Sequence, residues 1–288
     1  MTPAGGAAPS AYGPTRLSNT LSRPLQFLQT VGQWVVFIAQ TFWLLPLTIV
    51  KYRRETLQQM NSLAWGRGSI IVDGGVISVL LILGVAIGGS LAVEAVAILD
   101  IIGFGALSGL ISGIGVVREL GPLVGGIAFA AQTGCRMTAE IGAMRIGEEI
   151  DAVEAMALRP IPFVVGTRLL GGLASMIPGY MVTLITTFFV MDTIVVRFHH
   201  MPLGTFNHYF VEFLTPRDLA YSVVKVGVFA IAVTLIHCYY GYFASGGPEG
   251  VGRASGRAVR ASLVMIIVLD FTLTVMLWGI QPTFVFKG

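Results

Sequence analysis

The feature that most limits what this chain can become is a series of apolar stretches too long and too free of charge for an ordinary soluble core. From Gly74 to Val93 there is no formal charge. As a helix, that stretch is long enough to cross roughly 30 Å of hydrocarbon. Ile101–Val117 and Leu120–Cys135 are two more such stretches, separated only by Arg118 and Glu119. Leu169–Met191, Val226–Pro248 and Ala261–Phe286 complete the series, the last with a lone Asp270 inside it. Composition agrees: charged residues make up 11% of 288 positions and hydrophobic residues 55%. A soluble domain carries roughly 25% charged residues, so too little polar material is present to coat a soluble surface. The expected fold class is an all-α integral membrane protein.

Charge placement sets the number of crossings. Basic residues gather at Lys51–Arg67, Arg136–Arg168 and Arg253–Arg260, whereas 194–218 and 282–288 carry only Arg197, Arg217 and Lys287. Cytoplasmic loops are the ones enriched in Lys and Arg. All three basic loops fall on that side only if Ile101 to Cys135 crosses once, as one long helix interrupted near Gly121-Pro122, where proline removes a backbone bond. Five spans follow, in a multi-pass protein of the plasma (inner) membrane with a cytoplasmic N-terminus. The net charge of +3 does not point to nucleic acid, because the basic residues form no stripe with interleaved aromatics.

The remaining segments are read from their local composition. Residues 1–24, rich in Ala, Gly, Pro, Ser and Thr, are expected to be a flexible cytoplasmic tail and not a signal peptide, since the basic start of a signal is missing. Residues 25–50 carry Gln26, Gln29, Gln33 and Gln40 at helical spacing beside Trp34, Phe37, Phe42 and Trp43. That pattern favours an amphipathic helix in the headgroup layer, with a true crossing as the alternative. Gly105, Gly109 and Gly113 form a small-residue ladder in the second span, and Gly84 and Gly88 repeat it in the first. Such ladders let helix backbones approach closely in lipid, here within one chain or between subunits. Cys135 and Cys238 are read as packing residues, not as a disulfide or metal pair.

The segment 136–160, between the second and third spans, is far more polar than its neighbours, yet keeps Ile141, Met144, Ile150, Val153 and Met156. Gly142 and Gly147 are expected to divide it into short helical pieces. An acidic helix with a Met/Ile face, projecting from a membrane domain, suits docking into a groove on a soluble partner. A merely solvated loop would explain the acids but not the apolar residues. Catalytic signatures are missing: no lysine follows a glycine, so there is no phosphate-binding loop of the Gly-x-x-x-x-Gly-Lys type, and neither a zinc-protease motif nor a Gly-x-Ser-x-Gly elbow occurs. His199-His200 lacks carboxylates at ligand spacing and reads as surface. Arg118, Glu119, Lys225 and Asp270 fall within the spans. Such residues are costly in lipid and face protein or water, so they are expected to neutralise one another or to meet a lipid headgroup.

Several of these motifs resemble the MlaE/YrbE permease family, the membrane subunits of lipid-transporting ABC systems. The resemblance is carried by Arg118-Glu-Leu-Gly-Pro122, by Thr138-Ala-Glu-Ile-Gly-Ala-Met144 with Glu148-Glu149-Ile-Asp151, and by Gly250-Val-Gly-Arg253 with Asp270-Phe-Thr-Leu273. Many members have glutamine where this chain has Glu149. Tyr52-Arg-Arg-Glu-Thr56, His237-Cys-Tyr-Tyr-Gly-Tyr242 and Gly279-Ile-Gln-Pro-Thr-Phe284 are similar to the B-type permeases of actinobacterial Mce loci. The resemblance covers residues 25–288 as one permease domain and implies a coupling helix between the second and third spans. It also implies an A-type YrbE permease as partner in a heterodimer, two copies of a cytoplasmic ABC ATPase, and a hexamer of MCE-domain proteins.

The division of labour implied is that the partner ATPase uses ATP and magnesium, and this chain binds no cofactor. The cargo implied is a hydrophobic lipid, such as a fatty or mycolic acid or a sterol, moved by import. Glu140, Met144, Glu148, Glu149, Asp151 and Met156 would receive the ATPase's motion. Leu80, Leu83 and Ile87, on one face of the first span, would line a lipid cavity. The rival classes are an ion-coupled secondary transporter with Glu119 and Asp270 as carriers, an intramembrane enzyme, and a non-transporting scaffold.

Overall fold

A computed structural model describes residues 16–66, 74–101, 103–104, 108–199 and 201–279. Among these residues there is no strand, and five helices are long and apolar enough to cross a membrane: Val76–Ile101, Ser108–Ile146, Ile161–Phe198, Pro216–Tyr242 and Gly247–Trp278. Each corresponds to one expected span, but the ends differ. The fourth starts at Pro216, ten residues before the uncharged stretch, with the Thr215 hydroxyl accepting from the Asp218 amide as its N-cap. Pro248 opens the fifth span instead of closing the fourth. Charge marks where hydrocarbon begins, whereas the helix itself ends at caps and prolines. The C-terminal part of the expected fifth span, Ile280 to Phe286, lies outside the described residues.

The second span corrects two expectations. It is not interrupted at Gly121-Pro122, where the backbone stays in the right-handed helical region. Ile111–Leu120 is instead wound as π-helix directly before the proline, a register that accommodates an irregularity without breaking the rod. Pro122 has no N–H to give the Arg118 carbonyl, four residues back. Lys225 Nζ donates to that carbonyl at 2.8 Å, so another helix satisfies the group. Nor does Gly142 divide the following segment. Cys135–Ile146 continues as a single helix, and a Cβ on Gly142 would lie 2.8 Å from both Val251 methyls.

Both glycine ladders work within the chain. The first and third spans touch backbone to backbone at Gly84 and Gly88, with Thr183 Oγ1 donating to Leu80 O and Thr187 Oγ1 to Gly84 O, each at 3.1 Å. Gly109 of the second span lies under Phe206 of a short helix, Leu203–Phe213. Gly105 lies outside the described residues. Cys238 is buried and Cys135 half-buried, and neither is in a disulfide.

Ahead of the spans, a helix from Arg16 to Trp43 bends by 41° at Leu44 into Leu45–Lys51, and Arg53–Trp65 follows. Residues 16–24 of the segment expected to be a tail are therefore helical, and the expected single helix over 25–50 is two, with Pro46 just past the bend. The helix Arg16–Trp43 packs on the start of the third span and on the far end of the fourth, where Trp34 stacks on Tyr239 with ring centroids 3.7 Å apart and Phe37 meets Tyr239 edge-on. Gln29, Gln33 and Gln40 are exposed.

If all five helices cross, the basic segments flanking residues 74, 146–161 and 242–247 share one side of the bundle. In a chain with Cys135→Ser and Cys238→Ala, a cysteine at exposed Gly147 is expected to react with an impermeant maleimide from one side only. A cysteine at exposed Asn207 is expected to react only from the other. Labelling of both from the same side would overturn the five-span path.

Candidate functional site

Three helices bring charged side chains together in the interior of the bundle. Arg118 and Glu119 come from the π-helical part of the second span, Asp218 and Lys225 from one face of the fourth, and Asp270, Thr274 and Trp278 from one face of the fifth. Lys225 is fully buried. Its ammonium lies 2.7 Å from Asp270 Oδ1 and 3.2 Å from Glu119 Oε2, and donates to Thr274 Oγ1 at 2.7 Å. Thr274 Oγ1 in turn donates to Glu119 Oε1 at 2.9 Å. Arg118 Nη2 pairs with Asp218 Oδ1 at 3.1 Å, Trp278 Nε1 donates to the same oxygen, and the Arg118 guanidinium sits over the indole.

The four expected intramembrane charges thus fall in one cluster. A lysine has three donors and no acceptor, and the groups around Lys225 are all acceptors. Asp218, Thr274 and Trp278 were missed. Their signal was the seven-residue interval from Asp218 to Lys225 and the four-residue steps from Asp270, which put each set on one helix face. Mutual pairing gives the cluster a structural role in tying the second, fourth and fifth spans together. It also weakens the ion-carrier rival, since Glu119 and Asp270 already share one lysine. Among the described residues, no group of His, Cys, Asp and Glu is arranged to hold a metal ion.

The segment after the second span divides the expected coupling residues into two groups. Glu140 bridges Arg136 at 2.9 Å and Arg168 at 3.2 Å, while Arg136 also donates to Ser62 O and Ser62 Oγ. One carboxylate therefore joins the second span, the start of the third and the helix Arg53–Trp65. Ile141, Ile150 and Val153 are buried in the chain's own core, which corrects the reading of these residues as a docking face. Met144 is half-buried, with Arg168 Nη2 3.9 Å from its sulfur. What remains exposed is Ile146 and Met156, 63% accessible, among Glu148, Glu149, Asp151 and Glu154. The turn at Gly147-Glu148 places Glu148 at φ 56°, and Arg145 closes it onto Asp151 at 2.7 Å. Glu149 and Asp151 then occupy the first turn of the helix Glu149–Ala155, where negative charge is favoured.

The expected cavity wall separates in the same way. Leu80 is fully buried, with side-chain atoms close to Gly179 and Gly125, so it faces the intramolecular core and not an open cavity. Leu83 and Ile87 are half-buried. The family description "Permease MlaE" matches residues 69–276. A probable ABC transporter permease protein of Rickettsia bellii is 30% identical over 163 residues, 56% of this chain and 62% of that protein. The Haemophilus influenzae intermembrane phospholipid transport system permease protein MlaE is 31% identical over 209 residues, 71% of this chain and 80% of the relative. A probable ABC transporter permease protein of Synechocystis is 28% identical over 230 residues, 77% and 81% of the two chains. The match to the Rickettsia protein thus spans less than two thirds of its length.

Proposed function

Because the chain belongs to the MlaE permease family, we propose that it is the transmembrane permease subunit of an ATP-driven lipid transporter. The observation that carries this reading is the exposed acidic turn with Ile146 and Met156, set at the end of a helix continuous with the second span. A partner ATPase, using ATP and magnesium, would press on this turn. The displacement would pass through Glu140 to Arg136 and Ser62 on one side and to Arg168 of the third span on the other, and through Gly142 to Val251 of the fifth. Solid packing transmits such a push because interiors are close to crystal density.

The finer reading follows the resemblance. An A-type permease would complete a heterodimer, an MCE-domain hexamer would receive or deliver cargo, and the cargo would be a fatty or mycolic acid or a sterol moved inward. The Haemophilus relative is named for phospholipid transport, which makes a phospholipid the competing cargo. Leu83 and Ile87 are the remaining candidates for a cavity wall in this chain.

The test is co-purification with the ATPase partner from detergent extracts. Met156→Asp is expected to weaken association at least ~10-fold, because an unpaired carboxylate entering an apolar groove costs several kcal/mol. Glu149→Gln is expected to change it little, since exposed charge pairs are worth roughly 0–1 kcal/mol. Met144→Asp is a poorer probe, as a carboxylate there has Arg168 beside it. Full ATPase retention by Met156→Asp would remove this turn from the contact, and ATP turnover by the isolated chain would overturn the division of labour.

A further inference from the structure

The motif His237-Cys-Tyr-Tyr-Gly-Tyr242 has no part in the charged cluster or in the acidic turn, yet its histidine is fully buried. The ring stands where three spans meet. Its Nδ1 is 2.8 Å from Thr138 Oγ1 on the second span, and its Nε2 is 3.3 Å from Ser262 Oγ on the fifth. Gly134 leaves room for it: a Cβ there would lie 2.6 Å from both Cδ2 and Nε2 of the ring. Residues Ala130–Gly134 are wound as π-helix, so the second span changes its winding where the ring is pressed against it. Such local π segments are frequent at functional positions.

The hydrogens available fix the tautomer. Ser262 Oγ donates its one hydrogen to Val259 O at 2.9 Å, so it accepts from Nε2–H of His237. Nδ1 is then the bare nitrogen, and the Thr138 hydroxyl is its donor. The Thr138 oxygen lies farther from the His237 carbonyl, at 3.1 Å, and from that of Gly134, at 3.3 Å. One imidazole on the fourth span thus holds the second and the fifth by directional bonds. Its neighbours contribute packing: Gly241 sits against Thr138 and Ile141, and Gly142 against Val251. Packing of that kind is non-directional, so it opposes separation of the helices more than rotation about their axes. The helix Cys135–Ile146 runs on from this point to the exposed acidic turn, a lever of roughly 13 Å from Thr138 to Gly147.

We propose that His237 is the fulcrum of this lever, a positioning residue that makes rotation of the helix Cys135–Ile146 carry the fourth and fifth spans with it. This role rests on the permease reading above, in which a partner ATPase pushes the turn. Glu140 and its arginines carry the push to the third span, and His237 carries it to the other side of the bundle.

The experiment uses the assembled complex with its ATPase, in a chain carrying Cys135→Ser and Cys238→Ala. It reads spin-label distances with and without magnesium adenylyl imidodiphosphate. One pair, Gly147→Cys with Phe189→Cys, reports the turn against the third span; the other, Phe271→Cys with Phe189→Cys, reports the fifth span against the third. All three positions are exposed. With Thr138 and His237 in place, the nucleotide is expected to shift both distances. Thr138→Val keeps the shape of the side chain and removes the donor to Nδ1. It is expected to retain the ATPase and the shift at the turn, while the shift between the spans is lost. Thr138→Ser, smaller but still a donor, is expected to keep both. His237→Phe is expected to repeat Thr138→Val, because the Thr138 and Ser262 hydroxyls then have Gly134 O and Val259 O as acceptors and folding survives. A role in packing alone predicts the reverse order, with valine better than serine. That order, or loss of the ATPase in Thr138→Val, would overturn the fulcrum. No shift at the turn with Thr138 and His237 in place would instead overturn the permease reading beneath it.

Discussion

Replacing Lys225 with methionine is expected to destabilise the folded protein by about 3–5 kcal/mol, the usual consequence of removing one partner from a buried ion pair. The ammonium is fully buried and is the cation shared by Glu119 and Asp270. It also occupies the Arg118 carbonyl that Pro122 leaves without a helical donor. Methionine keeps the length of the side chain but abandons two carboxylates and one carbonyl. The two carboxylates do not suffer equally. The Asp270 side chain is 13% exposed, whereas that of Glu119 is 44% exposed and can keep part of its hydration. Most of the loss is therefore assigned to Asp270, and Lys225→Met with Asp270→Asn is expected to recover more than half of it. Thermal unfolding in detergent, read for the wild type, both single variants and the double variant, measures the coupling directly. A double variant no more stable than Lys225→Met alone would show that the pair is not what Lys225 holds.

Gly88→Ala and Gly89→Ala are expected to differ sharply although they are neighbours in the sequence. A Cβ on Gly88 would sit 2.7 Å from Thr187 O and 3.1 Å from Thr187 Cα and Val190 Cβ. Two of those atoms are backbone, so the third span itself must move away, along with the Thr187 hydrogen bond to Gly84 O. Overpacking of this kind costs about 1–3 kcal/mol, and Gly88→Leu should prevent accumulation of folded protein. At Gly89 the nearest atom to a new Cβ is Ile194 Cδ1 at 3.9 Å. Alanine there fits without displacement and gains up to about 1 kcal/mol of helix propensity. Equal melting temperatures for the two alanine variants would show that the first and third spans are not held at this distance.

How much of the site was legible depends on the kind of signal each residue carried. Arg118, Glu119, Lys225 and Asp270 stand out because a charge in an apolar stretch has no local explanation. Thr274 and Trp278 do not, since both are ordinary in a membrane helix. Side chains arriving from two other spans give them partners: Glu119 and Lys225 for Thr274, Arg118 and Asp218 for Trp278. The same limit applied to segment 136–160. Retained Met and Ile residues indicated that something apolar covers them, but the sequence could not say whether a partner or the chain itself does so. Ile141, Ile150 and Val153 proved to be covered by the chain, leaving Ile146 and Met156 outside.

The sequence by itself determined the five apolar helices, because the cost of exposing charge or unpaired backbone to hydrocarbon is local and large. It also placed the basic segments relative to the spans. Helix ends were less well determined: Arg217, Asp218 and Arg253 remain helical beyond the apolar runs, since charge limits the hydrocarbon and not the helix. Tertiary structure alone decided that the second span passes through Pro122 unbroken, that Gly84 and Gly88 serve the third span, and that Leu80 is core. Each of these depends on which helix lies opposite, and a period of 3.6 residues identifies a face without identifying what it meets.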